Sequence, residues 1–515
     1  MVASLLKILV SGIQDQRLLP PKGQPAVSFF QKVLIRAGRF TTQWVRLDFD
    51  QQPDFGKKVY LTVPRQGNLV SRFYVVANLP DIVTPQLQAR AAVGQNFLGP
   101  TFGWTNSLGH ALLQSVQLDI GGTKIDQIDS RLLEILDEFK TPLEKTTVVN
   151  RLIERYDNGF TIEKIGWPPN RVPPRVAVPL PLWCSNGDAG AFLPIDAISV
   201  DQVKIGIQFA PLDKVYISRD ISSNAIIQSG CSSYPAILNS KFYQEDASGS
   251  ILIYNLNGRT GAVKGSPIPG YQMPDSINLG DTYIMAEYIY LDKPEANRFR
   301  LADIRLPILQ HYTIDPYDTK GLPEVSIPIK IPNPTRDFYF FAQRVEAAAQ
   351  YNAPFLATRD LSGLGIQNAP WWPDASGLNA RYFTGDYIPG FATRDSEPIQ
   401  SMTLMYEGRL VRYGTGSPAL FRSIIPSFDQ RKVPWVNRYY YTFPFGVQSG
   451  LLPGSQPSGE ANLTKIRNID LNLSFSPKRG CVALTEVPQY TIFMYAETFN
   501  ILRIYGGRAA IMFAY

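Results

Sequence analysis

Strict alternation of apolar and polar residues, recurring in two sets along one chain, is the feature that most limits what this sequence can fold into. "IDLNLSF" (469–475) alternates at every position. A period of two puts Ile469, Leu471, Leu473 and Phe475 on one face of a strand. A first set of such segments comprises "TTQWVRLDFD" (41–50), "KKVYLTVP" (57–64), "LVSRFYVVANLP" (69–80), "LLQSVQLDIGGTKID" (112–126), "VAVPLPLW" (176–183) and "QVKIGIQFA" (202–210). A second set starts at "TYIMAEYIYLD" (282–292). It continues through "VSIPIKI" (325–331), "DFYFFAQ" (337–343), "SMTLMYEGRLV" (401–411) and "RYYYTFPFG" (438–446), and ends in "QYTIFMYAETFNILRIYGGRAAIMFAY" (489–515). Two strand-rich halves predict an all-β chain of two β-sandwich or jelly-roll domains. Aromatics at 12%, with 39 Gly and 41 Pro in 515 residues, fit strands and tight turns. Only 18% of residues are charged, which argues against disorder.

The halves are separated by an irregular stretch, 213–280, rich in Ser, Gly and Asn and suited to a long surface excursion. Gly121 and Gly122 interrupt an alternating run and predict a tight hairpin turn. Helices are few. "SRLLEILDEFK" (130–140) has helical apolar spacing, with Ser130 available as a cap, and "PEANRFRLADI" (294–304) opens on Pro. The run "VAVPLPLWCSNGDAGAFLPIDAISVDQVKIGIQF" is echoed by "YYYTFPFGVQSGLLPGSQPSGEANLTKIRNIDLNLSF". Each is a strand ending near Pro, then a Gly-containing turn, "LP", and another alternating strand. Duplication of one domain is the expectation. The division expected is an N-terminal arm (1–25), a first jelly roll (26–212), a connection (213–280) and a second jelly roll (281–515).

Chemistry-bearing patterns are sparse. His110 and His311 are the only histidines and fall in different halves, with no ligand-spaced partner, so no zinc site is expected. Three cysteines, Cys184, Cys231 and Cys481, are far apart and odd in number, which predicts neither a metal site nor a disulfide framework and fits a reducing compartment. Asp54-Phe55-Gly56 stands without the other kinase signatures and reads as a turn before a strand. "GGTK" (121–124) and "GTGS" (414–417) match no phosphate-binding fingerprint, and neither opens a helix. The Gly- and Pro-rich stretch before 469 fails the same test. Glu134, Asp137 and Glu138 lie on the first candidate helix. Paired carboxylates could serve a glycan-cleaving site, but a solvated helix face is the plainer reading. Glycosylation sequons start at Asn462 and Asn472. The N-terminal run is interrupted by Lys7 and is too short to span a membrane, and no other run approaches 18 uncharged apolar residues, so a soluble chain is expected. The net charge of +6, without a basic run, does not mark a nucleic-acid binder.

Seven segments in order resemble one family. They are "GIQDQRL" with "VSFFQKVLIRAGRFT", "DFGKKVYLTVPRQGNLVSRFYVVANLP", "VQLDIGGTKID", "VPLPLWCSNGDAGAFLPIDAISVDQVKI", "AEYIYLDKPEANRF", "FPFG" with "QPSGEANLTKIRNIDL", and "FNILRIYGGRAAIMFAY". In this order they resemble the double jelly-roll major capsid proteins of the nucleocytoplasmic large DNA viruses. The residues that carry the resemblance most visibly are Asp54, Phe55 and Gly56; Gly121, Gly122 and Asp126; Phe443, Pro444 and Phe445; and Gln456, Pro457, Ser458 and Gly459.

The resemblance implies two consecutive eight-stranded antiparallel jelly rolls with a few short helices and long loops. It implies a non-enzymatic subunit of an icosahedral virion, assembled in the host cytoplasm as a homotrimeric, pseudo-hexagonal capsomer, with no cofactor and no metal. Its implied partners are further copies of itself, neighbouring capsomers, and minor capsid and penton proteins, with an inner side near an internal membrane and no direct contact with nucleic acid. Loops 141–175, 213–280 and 357–399 become candidates for the outer surface and for contacts between subunits. Trp371 and Trp372, adjacent in a loop, are candidate interface anchors or a cover for the second core. Two other readings stand beside this one: a double jelly-roll scaffold or minor capsid paralogue, and a two-domain glycan-active enzyme with Glu134 and Asp137 as acid and base.

Overall fold

The structure is a computed structural model. It describes residues 39–82, 101–155, 174–219, 226–229, 232–235, 243–245, 251–253, 277–345, 348, 354, 355, 357, 359, 397–408, 410–434, 438–452, 458–477 and 487–513. Residues 1–25, Cys231, Trp371, Trp372, Gln456, Pro457 and Cys481 lie outside these segments.

The first sandwich is built from β1 (Phe40–Leu47), β2 (Lys58–Thr62), β3 (Leu69–Asn78), β4 (Thr101–Trp104), β5 (Leu113–Ile120), β6 (Thr123–Asp129), β7 (Arg175–Pro179), β8 (Val203–Phe209) and β9 (Tyr216–Arg219). Two short hairpins follow, β10–β11 (Ile226–Ser229, Ser232–Pro235) and β12–β13 (Tyr243–Glu245, Ile251–Ile253). The chain then returns as β14 (Thr282–Leu291). One four-stranded sheet has the order β1-β14-β3-β7 and the other β2-β8-β5-β6, while β4 pairs with β9. Alternation fixes the inward faces: Val59 and Leu61, Val116, Leu118 and Ile120, and Ile205 and Ile207 are all buried.

The sequence pattern places β14 at the head of the second set of strands. It lies instead inside the first sandwich, antiparallel to β3 from Thr282↔Ala77 to Ile289↔Leu69. Alternation tells which face of a strand is buried but not which sheet receives it. The free edge of β3 is filled by a strand more than 200 residues away in sequence.

The second sandwich contains β15 (Ile304–Asp318), β16 (Glu324–Pro328), β17 (Pro334–Arg344), β18 (Ile399–Tyr406), β19 (Leu410–Gly416), β20 (Tyr440–Pro444), β21 (Ala461–Asn462), β22 (Ile469–Phe475), β23 (Tyr490–Tyr505) and β24 (Arg508–Ile511). Its sheets run β15-β23-β17-β20, with β21 and β24 added at β17 and β23, and β16-β22-β18-β19. The four alternate apolar residues of β22 are buried, as their spacing predicts. Aromatics fill this core. Phe443 stacks on Phe338 and Phe340 at 6.0 and 5.7 Å between centroids and meets Phe421 at 4.5 Å. Such pairs contribute roughly 0.5–1.5 kcal/mol beyond the area they bury.

Helices are short: α1 (Leu108–Leu112), α2 (Ser130–Lys140), α3 (Leu143–Leu152), α4 (Lys293–Leu301) and α5 (Ile425–Asp429), the last continuing a π-helical turn at Leu420–Ile424. α3 occupies part of what reads in sequence as the loop 141–175. α2 is capped by Asp129 rather than Ser130: Asp129 Oδ1 accepts the Leu132 N–H at 2.7 Å. Gly121 and Gly122 form the two-residue turn between β5 and β6, with φ of +59° and +83°. A Cβ on Gly121 would also stand 2.9 Å from Asp201 Cγ. Among the described residues no helix is long and apolar enough to cross a membrane. From Thr41 onward both sandwiches belong to one compact unit.

Candidate functional site

The chemistry of this molecule is concentrated where the two sandwiches meet. β6 and α2 of the first sandwich lie against β15, β17 and β23 of the second. Residues 132–139 of α2 are buried, so its carboxylates do not form the solvated face that helical spacing alone implied.

Asp126 is the first clasp. Its Oδ1 accepts the His311 backbone N–H at 2.9 Å, and its Oδ2 lies 3.0 Å from His311 Nδ1. Beside it, Gln310 Nε2 donates to the Ile125 carbonyl at 2.5 Å. Tyr495 Oη donates to Asp129 Oδ2 at 2.7 Å. Lys140, at the end of α2, ion-pairs with Glu497 on β23. At the far end of the sheet, the Val200 N–H donates to Gly507 O at 2.8 Å and the Ala509 N–H to Asp201 Oδ2 at 2.9 Å.

The strand register brings three ionisable groups into one row. His311, Glu497 and Asp337 are directly opposed across β15, β23 and β17. Burial and the neighbouring Glu497 raise Asp337 to about 6, against Arg336 and the Ser449 hydroxyl, which donates to it at 2.6 Å. Burial would raise Glu497 too, but Lys140, Arg336 and His311 outweigh it and hold the carboxyl at about 2.

A second cluster fixes the other face of α2. Glu134 is paired with Arg155 and Arg438, and lies 2.7 Å from His110 Nδ1. Asp137 is paired with Arg155 and accepts from the Thr141 hydroxyl. Glu138 lies 3.3 Å from Arg155, 3.1 Å from Arg438 and 3.4 Å from Lys432. Burial opposes ionisation of Glu134 and Asp137, but the surrounding guanidinium and ammonium groups prevail and hold both below their usual range, Glu134 well below it. A glycan-cleaving pair needs a carboxyl whose pKa is raised so that it can donate a proton. Both carboxyls here are shifted the wrong way and are locked in ion pairs. Breaking a buried pair costs about 3–5 kcal/mol, because a charge is left uncompensated. Glu134 and Glu138 tie α2 to Lys432 and Arg438 of the second sandwich.

The other sequence-marked residues are distributed. Asp54, Phe55 and Gly56 form a turn, with Gly56 at φ +74°. Asp54 Oδ1 accepts the N–H groups of Phe55 and of Leu279, at 2.9 and 3.2 Å, so this turn holds the segment leading back into β14. Phe443 and Pro444 lie in β20, and the Phe445 N–H donates to Arg336 O at 2.9 Å. Ser458 and Gly459 fold back onto the same turn: Gly459 has φ +133°, and a Cβ there would stand 3.2 Å from Gly446 Cα. Cys184 is buried, and burial pushes its thiol up to about 12, so it behaves as core. Among the described residues no His, Cys, Asp and Glu group is arranged to hold a metal. The ion pairs of α2 escape sequence reasoning because their cations come from positions 155, 432 and 438.

Residues 28–246 match the family described as "Major capsid protein N-terminus", and residues 303–510 match "Large eukaryotic DNA virus major capsid protein". Capsid protein 1 of Acanthamoeba polyphaga mimivirus is 27% identical over 235 residues, which is 45% of this chain and 37% of that protein. The chain thus spans well under half the length of that relative. The major capsid protein of Paramecium bursaria Chlorella virus 1 is 23% identical over 544 aligned positions covering 100% of both chains. The quasi-atomic model of the PBCV-1 virus capsid superposes with a TM-score of 0.64 at 19% identity, covering 95% of this chain and 100% of that one. The architecture is the double jelly roll of those capsid proteins.

Proposed function

The chain belongs to the major capsid protein family of large eukaryotic DNA viruses, and from that premise we propose that it is a structural subunit of an icosahedral virion shell, working by self-assembly rather than by catalysis. The observation that carries this reading is the pair of two-sheet β-sandwiches in one chain, joined by a buried, ion-paired seam. Three such chains around an axis would supply six near-equivalent wedges and close a pseudo-hexagonal ring.

Apolar residues left on the surface support contacts between copies. Ile424 and Phe428 are one helical turn apart and 54% and 71% exposed. Val447 and Leu451 are also exposed, on a loop held to α5 by the Gln448 and Gly450 N–H groups, which donate to Asp429 at 3.0 and 2.8 Å. Large exposed apolar side chains brought together this way mark interaction surfaces. The capsomer would meet neighbouring capsomers and minor capsid and penton proteins, with its inner side toward an internal membrane, and would assemble in the host cytoplasm. The domain limits proposed are a first jelly roll of 26–212 completed by β14, an arm before it, and a second jelly roll from α4 onward.

Sedimentation of the purified chain tests the assembly. A compact trimer is expected, and a stable monomer under mild conditions would overturn it. Copy number in purified virions separates the abundant subunit from a minor paralogue.

A further inference from the structure

A groove of about 440 Å³ opens at the seam, beside the end of α2. Its size falls within the roughly 300–1,000 Å³ of ligand-binding clefts. Among the described residues five cationic side chains line it, Arg72, Lys140, Lys145, Arg336 and Arg431, against one carboxylate, Asp137, which is already paired with Arg155. Three of these cations have tasks within the fold. Lys140 pairs with Glu497, Arg336 donates to Leu452 O at 2.8 Å, and Arg72 lies 3.8 Å from Glu287. Lys145 and Arg431 are exposed, and among the described residues neither side chain has an ion-pair partner. Both sandwiches contribute: Phe73 and Leu180 come from the first, Arg336, Arg431 and Leu452 from the second.

We propose that this groove docks an acidic peptide segment of a partner protein, anchored by a large apolar side chain, and that the docked segment clamps the two sandwiches together. The charge balance selects an anionic occupant. The rest of the lining selects a peptide, because Phe73, Leu136, Val149, Leu180 and Leu452 form an apolar floor that a bare phosphate would leave unmatched. Carboxylates on the segment would meet Lys145 and Arg431 at the rim while its apolar side chain fills the floor. This proposal does not depend on the trimeric state.

The test is selection of random twelve-residue peptides from a display library on the full-length protein. Enriched sequences are expected to combine two or more Asp or Glu with a large apolar residue. A synthetic peptide of that consensus should bind at least tenfold more weakly to a Lys145→Glu, Arg431→Glu double variant, and more weakly at high salt. It should bind unchanged to Lys320→Glu, a surface change outside the groove. Thermal melts check that the variants fold, and the peptide should raise the Tm of the unaltered protein. The proposal fails if no acidic, apolar consensus emerges. It also fails if the double variant binds as well as the parent. Displacement of the peptide by tripolyphosphate, with no loss when its apolar residue is replaced by Ser, would assign the groove to a small polyanion instead.

Discussion

At the residue scale, the seam is a set of buried charges whose values depend on their neighbours. Glu134→Gln would leave Arg155 and Arg438 without their shared carboxylate. A loss of about 3–5 kcal/mol is expected, read as a lower denaturation midpoint. The same variant and the parent should both leave a glycan panel uncleaved. Asp337 and Glu497 respond to pH in opposite senses. Asp337 rises from 3.8 to about 6 on folding, so its contribution is full below 3.8 and is lost as pH rises through 6. Glu497 falls from 4.5 to about 2, so its contribution is full above 4.5 and is lost as pH falls through 2. Asp337→Asn removes the first dependence. Relative to the parent, the variant should gain about 1–2 kcal/mol between pH 5 and pH 7.5, seen as a growing Tm difference across that range. A difference that stays flat would mean that Asp337 titrates as an ordinary carboxyl.

At the element scale, what could be read from the sequence was the strand and its faces. Period two places Leu471 and Leu473 inward, and both are buried. The Gly-Gly turn follows from the need for positive φ at both central positions of a two-residue hairpin. The stretch ending "QPSG" is informative for a further reason. Gly459 is needed both for its φ of +133° and for its approach to Gly446. Gly459→Ala should therefore cost about 1–3 kcal/mol, measured by chemical denaturation, whereas Ala at the neighbouring exposed Glu460 should stay within about 0.5 kcal/mol. The sequence misplaced β14 and the cap of α2. For β14 the alternation is right and the partner is remote; for α2 the cap lies one residue before the expected Ser130. β14 has the right alternation for either sandwich, and Asp129 caps α2 while also accepting from Tyr495, 366 residues away.

At the scale of the whole molecule, the exposed apolar surface around α5 and the loop it holds is where assembly would be felt. Ile424→Glu together with Phe428→Glu should leave the melting temperature of the isolated chain close to that of the parent, because both side chains already face solvent. It should shift the sedimentation profile from the proposed trimer toward monomer. Retention of the trimer would move the contact surface elsewhere. The seam acts at this scale as well. The buried ion pairs resist sliding of one sandwich on the other, because each displacement strands a charge.

The sequence by itself determined the all-β class, the inward face of alternating strands such as β22, the tight turns and the presence of two strand-rich halves. These follow from local period and backbone conformation, which neighbouring residues dictate. Only the tertiary structure decided that β14 completes the first sandwich, that the carboxylates of α2 are clasps rather than a solvated face, and that Asp126 holds His311. Each of those depends on charges or sheet edges brought together from opposite ends of the chain, and no local pattern encodes which distant group will arrive.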